Sequence, residues 1–336
     1  MSERHDRLIG ESSSFLEALE HTSSVAALNK PILIIGERGT GKELIAERLH
    51  FLSARWDQEY IKTNCATFSE GLLESELFGH EAGAFTGANK RHIGRFERAD
   101  NGSLFLDELA STSTAVQEKL LRIIEYGEFE RLGGSSTLKI DIRLIAASNV
   151  DLPEMAAQGK FREDLLDRLA FDVITLPPLR YRKEDIVLLA EHFALNMCKE
   201  LGWDFFPGFT RAAIEKLSDY RWPGNIRELK NVIERNIYKH KNREAPVDTI
   251  LLDPFDSPFR INNAKTQDVI SVDEPHVQEI QNSFPVDFKK VCAEYEIKLI
   301  KKALEHSRFN QRKAADLLGL SYHQLRAGIR KHSISQ

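Results

Sequence analysis

The stretch that most constrains the fold of this chain is residues 32–46, where an apolar run leads into a glycine-rich loop and then a helix-forming segment. The apolar run predicts a buried strand, and Gly36, Gly39 and Gly41 permit backbone conformations that a Cβ atom would block. Such a loop can turn its N–H groups around a phosphate, and the following helix offers free N–H groups to the same anion. Lys42 adds a positive charge, and its spacing from Gly36 matches the P-loop of nucleotide-binding proteins.

One position departs from the P-loop pattern. Residue 43 is Glu, where the general motif has Ser or Thr to hold magnesium, so a magnesium ion must find other ligands. The alternative is a strand–turn–helix junction that binds no ligand. The loop residues predicted to contact a nucleotide are Gly36, Glu37, Arg38, Gly39, Thr40, Gly41, Lys42 and Glu43.

Two neighbouring acids follow another apolar segment. Residues 102–106 predict a strand, and Asp107 and Glu108 come at its end. At the carboxyl end of a parallel strand beside a P-loop, Asp107 can hold magnesium directly or through water. Glu108 can then polarise the attacking water as a general base. The alternative is a pair of solvated carboxylates at the start of a helix.

Other polar residues fall where they could meet a nucleotide. Ser148 and Asn149 follow the predicted strand 140–147, where a side chain can reach a γ-phosphate or the lytic water; a turn-forming Ser-Asn is an equally simple explanation. Arg227 opens the helix after the turn at 222–225. It could lean over the nucleotide from a helical lid, or be an ordinary surface arginine.

Two arginines occur in the charged helical segment 161–169. Arg162 and Arg168 could serve the nucleotide of a neighbouring subunit across a ring interface. From the residues alone we favour a solvated helix in which Asp164 pairs with Arg168 at the i,i+4 spacing.

Two polar insertions interrupt the α/β pattern. Residues 80–90 are rich in glycine and small residues around Phe85 and Thr86, and predict an exposed, mobile loop whose aromatic tip could contact a partner. Residues 127–139 are polar and contain Gly133-Gly134, and predict a second exposed insertion.

The charge of the chain is uneven. Residues 289–332 contain eleven Lys or Arg and four acids, a net charge of +7, which leaves −12 for the rest of a chain whose total is −5. This distribution suggests that only the tail meets nucleic acid. Within it, residues 310–326 predict a helix, a tight turn at Gly319 and a second helix capped by Ser321.

This pattern favours a helix-turn-helix that binds DNA, although a basic three-helix bundle without a ligand is the alternative. Polar side chains at the start and along one side of a recognition helix can reach base edges or phosphates. The residues assigned to DNA binding are Ser321, Tyr322, His323, Gln324, Arg326 and Arg330.

Composition is that of an ordinary globular protein, with 42% hydrophobic and 29% charged residues. No apolar run approaches the roughly 18 residues that span a bilayer. The N-terminus lacks the apolar segment of a signal peptide. We therefore expect no membrane insertion and a cytoplasmic location. The cysteines Cys65, Cys198 and Cys292 are far apart, which suits a reducing compartment and indicates no metal cluster.

The order of these elements predicts a division of the chain into domains. We expect an α/β nucleotide-binding subdomain at 1–176, a helical lid at 177–255 and a helix-turn-helix domain at 287–336. Residues 256–286 are polar with several prolines and predict a flexible linker.

Together these residues resemble those of the bacterial enhancer-binding activators of sigma-54 RNA polymerase, which are AAA+ ATPases. The diagnostic match is 83–88, Gly-Ala-Phe-Thr-Gly-Ala, the loop with which those activators touch the sigma factor. The family's P-loop also ends in Lys-Glu, as it does here at Glu43. The likeness covers nearly the whole chain and is weakest in 256–286. It implies an α/β fold, an AAA+ P-loop parallel sheet with a helical lid, followed by an all-α, Fis-like helix-turn-helix domain.

The resemblance implies roles at the nucleotide site. The P-loop would be Walker A, and Asp107 with Glu108 would be Walker B, together binding ATP and Mg²⁺. Asn64 would pair with Glu108 and hold it inactive until the ring engages its target. The remaining assignments are sensor I at Ser148 and Asn149, sensor II at Arg227, and arginine fingers at Arg162 and Arg168. The fingers would act on a neighbour's ATP in a homohexamer, which reverses the preference stated above.

The resemblance also implies partners. The residues that would contact sigma-54 are Gly83, Ala84, Phe85, Thr86, Gly87 and Ala88, steered by a second loop that contains Glu130, Arg131 and Leu132. The implied activity is ATP-driven remodelling of a closed promoter complex into an open one by a protein bound to enhancer DNA.

Control of the activity is expected to come from a partner in trans. Because the P-loop begins at residue 36, we expect no folded sensory domain before it, as in the phage-shock members of the family. The implied partner is a negative regulator resembling phage shock protein A, which would bind near Trp56. Two other classes stay open: another AAA+ remodeller, such as an unfoldase or helicase loader, and a DNA-binding regulator with a vestigial ATPase site.

Overall fold

A computed structural model describes residues 8–255, 288–307 and 310–332. Contacts divide the chain into two units, Met1–Asp256 and Ser257–Gln336. The predicted linker at 256–286 lies outside the described residues.

The described residues of the first unit, 8–255, contain seven strands: β1 (Ile32–Ile35), β2 (Tyr60–Asn64), β3 (Ser103–Asp107), β4 (Glu128–Glu130), β5 (Thr137–Lys139), β6 (Arg143–Ser148) and β7 (Val173–Thr175). Five of them form one sheet in the order β2-β3-β6-β1-β7, and all of its pairs are parallel. The predicted parallel α/β sheet is therefore confirmed. Because the strands are parallel, their carboxyl ends meet at one edge, where the sheet can hold a ligand.

The helices that cover the sheet are α1 (Ser13–Val25), α2 (Lys42–Phe51), α3 (Glu70–Phe78), α4 (Arg95–Arg98), α5 (Thr114–Tyr126), α6 (Leu152–Ala157) and α7 (Glu163–Leu169). Side chains of the central strands β1, β3 and β6 alternate between two cores. Leu104 and Leu106 pack in the core that contains Phe78 and Phe96, whereas Phe105 packs with Ile45 of α2 on the other side. The sheet is thus buried on both faces, as parallel sheets require.

A buried arginine fixes the helices behind the P-loop. The Arg143 guanidinium donates to the carbonyl oxygens of Ala26 and Leu49 at 2.6 and 3.0 Å, and to that of Val25 at 3.2 Å. These carbonyls lie at or near the carboxyl ends of α1 and α2, where helices leave acceptors unpaired. Burial lowers the pKa of Arg143 to about 10. Arg143 therefore anchors α2, whose first turn directly follows the glycine-rich loop.

The lid consists of α8 (Lys183–Glu200), α9 (Arg211–Asp219) and α10 (Asn225–Lys239). Its core contains the fully buried Trp222, whose indole N–H donates to the Leu217 carbonyl oxygen at 2.8 Å. The N-terminal segment is bound to the lid, since the buried Asp185 carboxylate accepts from the backbone and hydroxyl of Ser12 and from Arg182.

The second unit contains α11 (Phe288–His306), α12 (Gln311–Leu317) and α13 (Tyr322–Lys331). Ala314 and Ala315 are buried, which lets α12 pack closely on its neighbours. Gly319, with φ of 65°, lies in the turn between α12 and α13. The predicted all-α helix-turn-helix is confirmed. Within the described ranges of both units, no helix is both long and apolar enough to cross a membrane.

Candidate functional site

The glycine-rich loop joins β1 to α2 at the carboxyl edge of the sheet. Gly41 is the N-cap residue of α2 and has φ of 97°, a left-handed conformation that glycine adopts without strain. No side chain caps this helix. The N–H groups at its start therefore remain available to an anion such as a phosphate.

Lys42 lies folded over this loop. Its Nζ atom donates to the carbonyl oxygens of Gly36 and Glu37 at 2.9 and 3.1 Å, and the residue is only 8% exposed. Burial lowers the pKa of Lys42, and the nearby charges of Asp107 and Glu108 act in the opposite direction. The ammonium group and the two carboxylates thus share one electrostatic environment beside the loop.

Asp107 is the last residue of β3. Its Oδ1 atom accepts from the Glu108 N–H at 2.9 Å, and burial raises its pKa. Mg²⁺ usually takes one or two carboxylates together with phosphate oxygens and waters, and Asp107 can supply such a carboxylate. Glu43 already binds Lys62 at 2.9 Å. Among the described residues, no group of three or more His, Cys, Asp or Glu could hold a metal by itself.

The predicted contact between Asn64 and Glu108 is not formed. Asn64 and Asp107 are register partners on adjacent strands, and the Asn64 amide lies 3.5 Å from Asp107 Oδ2. The Asn64 Oδ1 atom accepts from the Ala66 N–H at 2.9 Å. Glu108 lies one residue beyond the strand with φ of 52°, so strand alternation no longer determines its direction. Its Oε1 atom instead accepts from Arg38 Nη2 at 2.9 Å.

The predicted sensor residues lie at the carboxyl end of β6, between β3 and β1 in the sheet: Ser148 is the last residue of the strand and Asn149 follows it. Ser148 is buried and pairs in register with Ile35, the last residue before the P-loop. Its hydroxyl donates to the Val150 carbonyl oxygen at 3.0 Å and accepts from the Val150 N–H at 3.2 Å. Ser148 therefore stabilises a local turn, the alternative stated above. Asn149 is the half-buried residue that follows it at this edge.

The lid contacts the P-loop through the Glu37 carboxylate, for which the sequence predicted no partner in the lid. The Glu37 carboxylate accepts two hydrogen bonds from Arg180 at 2.6 and 2.8 Å and one from Asn225 Nδ2 at 3.1 Å. The Arg180 hydrogen bond lowers the pKa of Glu37. Neither Arg180 nor Asn225 was predicted from the sequence to contact the P-loop. The available signal was the Trp-Pro-Gly-Asn turn, because Asn tolerates the left-handed φ of 51° found at Asn225.

Backbone contacts complete this junction between loop and lid. The Ile226 N–H donates to the Gly39 carbonyl oxygen at 2.9 Å, and Asn225 Nδ2 donates to the Arg38 carbonyl oxygen at 3.0 Å. A Cβ atom on Gly39 would lie 3.1 Å from the Cβ of Arg227. The structure therefore brings the predicted lid arginine, Arg227, directly against the P-loop.

The two candidate finger arginines pair with carboxylates of their own chain. Arg162 binds Asp164 at 2.6 Å, and Arg168 binds Glu125 of α5 at 2.9 Å. The predicted Asp164–Arg168 pair is not formed, because Asp164 is held by Arg162. In the described part of the chain, no hydrogen bond or ion pair joins either arginine to the P-loop at 36–43.

Arg168 also borders an open cleft. The cleft has a volume of about 440 Å³. Its walls carry positively charged, negatively charged and aromatic side chains. Its lining includes Lys30, Glu125, Tyr126, Asp167, Arg168 and Phe171.

The loop at 83–88 is closed by its own backbone. The Gly83 N–H donates to the Ala88 carbonyl oxygen at 2.8 Å, and the Ala88 N–H donates to that of Phe85 at 3.0 Å. Phe85 is 48% exposed, and its ring makes an edge-to-face contact with the His80 ring at a centroid distance of 4.9 Å. Thr86 is exposed beside it. Ala88 is buried, so the expectation of exposure along the whole loop is wrong at that residue.

The second insertion is a β-hairpin rather than a fully exposed loop. It contains β4 and β5, with Phe129 buried in the core that also holds Phe78 and Phe96. Arg131 is buried as well, and binds Glu81 at 2.9 Å and also Glu97. Glu130 is exposed. The expectation of an exposed insertion missed this anchor, because one phenylalanine among polar residues produces no periodic signal.

Two backbone bonds connect this hairpin to the first loop. The Glu81 N–H donates to the Leu132 carbonyl oxygen at 3.0 Å, and the Leu132 N–H donates to that of Gly79 at 3.0 Å. A Cβ atom on Gly133 would lie 2.7 Å from the Ala84 Cβ. The root of the 83–88 loop and the hairpin therefore form one packed arm.

Trp56 is 63% exposed on the segment that follows α2. Leu52, in the same segment, is also exposed. Large exposed apolar side chains that lie together on a surface are typical of protein contact sites.

In the helix-turn-helix unit, Ser321 and Gln324 form a capping box at the start of α13. Their side chains bond the backbone at 2.9 and 3.3 Å, so they fix the helix start in addition to any contact with DNA. The other predicted DNA-binding residues are His323, Arg326 and Arg330, which are exposed, and Tyr322, which is half-buried. Glu296 of α11 holds the far end of α13 through Lys331 and His332.

Family comparisons cover almost all of these elements. Residues 8–175 match the sigma-54 interaction domain, 180–257 match the AAA+ ATPase lid domain, and 292–332 match the Fis family of bacterial regulatory proteins.

Several curated proteins are similar over most of the chain. The Psp operon transcriptional activator of Escherichia coli K12 is 56% identical over 334 residues, which cover 99% of this chain and 100% of that protein. The regulatory protein AtoC of the same organism is 41% identical over 97% of this chain and 68% of its own length. The Nif-specific regulatory protein of Azotobacter vinelandii is 40% identical over 95% of this chain, which spans only 57% of that protein.

Solved structures agree with these relatives. NtrX from Brucella abortus in complex with ATP is 28% identical, with a TM-score of 0.68 over 98% of this chain and 70% of that one. The complex of the same protein with ADP has a TM-score of 0.67.

Proposed function

Because this chain belongs to the family of AAA+ transcriptional activators that interact with sigma-54, we propose that it converts closed sigma-54 promoter complexes into open ones at phage-shock genes. It is an ATPase, and its partners are sigma-54 and DNA. The observation that carries the proposal is the packed arm. Arg131 holds the root of the 83–88 loop to Glu97 in α4, on the unit that carries the P-loop.

We assign phosphate binding to the P-loop, with Lys42 moving from its carbonyl acceptors to the β- and γ-phosphates. Asp107 would hold Mg²⁺, which neutralises phosphate charge when bound. Glu108 would take the proton of the attacking water while the water oxygen bonds to the γ-phosphorus and the bond to the bridging oxygen breaks. Asn149 and Arg227 would contact the nucleotide from the sheet edge and the lid.

We propose that the two candidate finger arginines act on the nucleotide of a neighbouring subunit in a hexamer. Arg162 and Arg168 lie on one segment, and each pairs with a carboxylate at the surface. Neither pair is buried. Such pairs contribute little stability, so breaking them costs little free energy. A neighbour's phosphates could therefore replace Asp164 and Glu125 as their partners.

We propose that Phe85 and Thr86 grip sigma-54. Nucleotide-dependent movement would pass from the strand end at Asp107 through α4 and Glu97 to Arg131, which contacts the loop root through Glu81. Two arrangements of this arm, biased by the γ-phosphate, would make a switch.

The helix-turn-helix unit would bring subunits to enhancer DNA and raise their local concentration at the promoter. Arg326 and Arg330 of α13 can reach base edges or phosphates. We further propose a cytoplasmic location, and control by a negative regulator resembling phage shock protein A that binds the exposed Trp56.

A trapping experiment tests the proposal. The full chain is mixed with sigma-54 and ADP plus aluminium fluoride, which mimics the hydrolytic transition state, and complexes are separated on native gels. We expect Thr86→Ala to keep ATPase activity within about threefold of wild type while losing the trapped complex and open-complex formation, because an exposed loop tip has no part in hydrolysis.

Thr114→Ala is the matched control, since Thr114 is an exposed threonine at the start of α5. It should trap sigma-54 like wild type. Trapping by Thr86→Ala at the wild-type level, or failure of the wild-type chain to trap, would contradict the proposal.

A further inference from the structure

We propose that Arg38 is a positioning residue that holds Glu108 in a resting ion pair, and that the γ-phosphate of a bound nucleoside triphosphate releases Glu108 by competing for the same guanidinium. This inference rests on the proposed function, in which Glu108 is the general base. It assigns to the P-loop a control over the base that phosphate binding alone does not require.

The contact is direct. Arg38 Nη2 donates to Glu108 Oε1 at 2.9 Å. A general base must present a free oxygen lone pair to the attacking water. While Arg38 occupies Oε1, that oxygen is not available to a water molecule, and the carboxylate is held toward Arg38.

The two side chains differ in freedom. The Glu108 side chain is 18% exposed, and its backbone is held by the Ser111 N–H, which donates to its carbonyl oxygen at 2.9 Å. The Arg38 side chain is 66% exposed, whereas its carbonyl oxygen is fixed by Asn225 at 3.0 Å. Only the exposed end of Arg38 can move far, so release of the pair means rotation of that guanidinium.

The Arg38 guanidinium lies close enough to Lys42 to interact electrostatically with a nucleotide bound there. The charges of Arg38 and Arg227 act on Lys42 as like charges, whereas those of Asp107 and Glu108 act as opposite ones. A P-loop lysine binds the β- and γ-phosphates. A triphosphate at Lys42 would therefore bring several negative charges near Arg38, against the single charge of Glu108.

The chemistry of arginine favours this exchange. A planar guanidinium binds phosphate oxygens through two parallel N–H donors, whereas the described pair with Glu108 uses one. ADP lacks the γ-phosphate and offers less to compete with. The base would consequently become free only when a hydrolysable phosphate is present.

A double-mutant cycle on binding tests the inference. Dissociation constants of ATPγS and ADP are measured by calorimetry for the full-length wild type, Arg38→Ala, Glu108→Gln and the double variant. If ATPγS must break the pair, Glu108→Gln frees Arg38 beforehand. We expect Glu108→Gln to tighten ATPγS binding about twofold to fivefold more in the Arg38 background than in the Arg38→Ala background, the size of a partly exposed ion pair. ADP should show no such difference.

Controls separate the inference from folding effects. Arg98→Ala removes an exposed arginine of α4 and should leave both dissociation constants unchanged. Arg38→Lys keeps the charge without the planar fork and should restore part of the coupling. If Arg38→Ala is unstable, Arg38→Gln replaces it in the cycle.

Equal effects of Glu108→Gln in the two backgrounds, or the same coupling with ADP, would overturn the role of Arg38. The proposed function fails separately, when Glu108→Gln hydrolyses ATP at the wild-type rate. The two failures are therefore distinguishable.

Discussion

Two glycine-rich loops of the α/β unit use glycine for different reasons. In the P-loop, a Cβ atom on Gly39 would lie 2.4 Å from the Gly224 carbonyl oxygen of the lid, so the position requires both the left-handed φ of 77° and the absence of a side chain. In the loop at 83–88, Gly87 has φ of 104°, but nothing lies within 4 Å of an added Cβ. The first loop is enclosed by its surroundings, and the second is shaped by its own turns.

The difference indicates how the loops can work together. The P-loop is held to the lid by Glu37 and by backbone contacts, so a phosphate bound as proposed would meet backbone donors that are already in place. The 83–88 loop is held at its root by Arg131 and leaves Phe85 exposed. A loop with few buried contacts opens at low free-energy cost, which suits a part that changes position.

The largest expected effect concerns the positive charge of Lys42 in the P-loop. Lys42→Ala should lower ATP turnover at least about 100-fold, because the ammonium group that we propose to bind the transferred phosphate is lost. Steady-state hydrolysis by the full chain measures this, with the exposed Lys160→Ala as control. A turnover within tenfold of wild type would contradict the role proposed for Lys42 in the enclosed loop.

A matched pair of glycine substitutions compares the loops directly. Gly87→Ala should cost about 1–2 kcal/mol in free energy of unfolding, from its left-handed backbone alone. Gly39→Ala should cost more than Gly87→Ala, since its Cβ also collides with the lid. Urea unfolding measures both. Equal losses would mean that the lid yields to the added methyl group.

The aromatic contact at the open loop should be worth less. His80→Ala removes the ring that the Phe85 edge contact requires, an interaction of about 0.5–1.5 kcal/mol. We expect faster amide hydrogen exchange at 83–88 and unchanged exchange at 36–43, with the lid variant His192→Ala as control. Unchanged exchange at 83–88 would show that the backbone turns alone hold the loop.

The smallest effect concerns the ion pair between loop and lid. Because the Arg180 bond lowers the pKa of Glu37, its contribution is present above the ordinary value of 4.5 and is lost as the pH falls through the lower folded value. Both side chains are partly exposed, so Glu37→Gln should cost about 0.2–1 kcal/mol at neutral pH.

Denaturant unfolding at neutral and acidic pH measures this loss. The difference between Glu37→Gln and wild type should shrink below the folded pKa, where the wild-type carboxylate is protonated too. The exposed lid variant Glu191→Gln should show no comparable loss at neutral pH. A difference that stays constant over the whole range would exclude the ion pair as its source.

Local patterns predicted the elements of the fold well. The strand before Gly36, the helix after Gly41 and the capped helix at Ser321 depend on residues that are neighbours in the chain. The hairpin at 128–139 was not predicted, because its anchors, Phe129 and Arg131, are isolated among polar residues.

Partners across long separations could not be read in the same way. Glu37 pairs with Arg180 over 143 residues and with Asn225 over 188. Asn64 meets Asp107 because their strands are in register, whereas Glu108 turns away through its left-handed backbone. No rule based on residue spacing along the chain predicts these contacts.

The sequence by itself determined the glycine-rich loop at 36–42, most of the strands and helices around it, the glycine-flanked tip at 83–88 and the basic tail. Each of these follows from residues that act through local backbone preferences or through composition. Only the tertiary structure decided which charges meet: Arg38 with Glu108, Glu37 with Arg180, and Arg131 with Glu81. Coulomb and hydrogen-bond energies depend on distance in space, and that distance is set by packing of the whole unit.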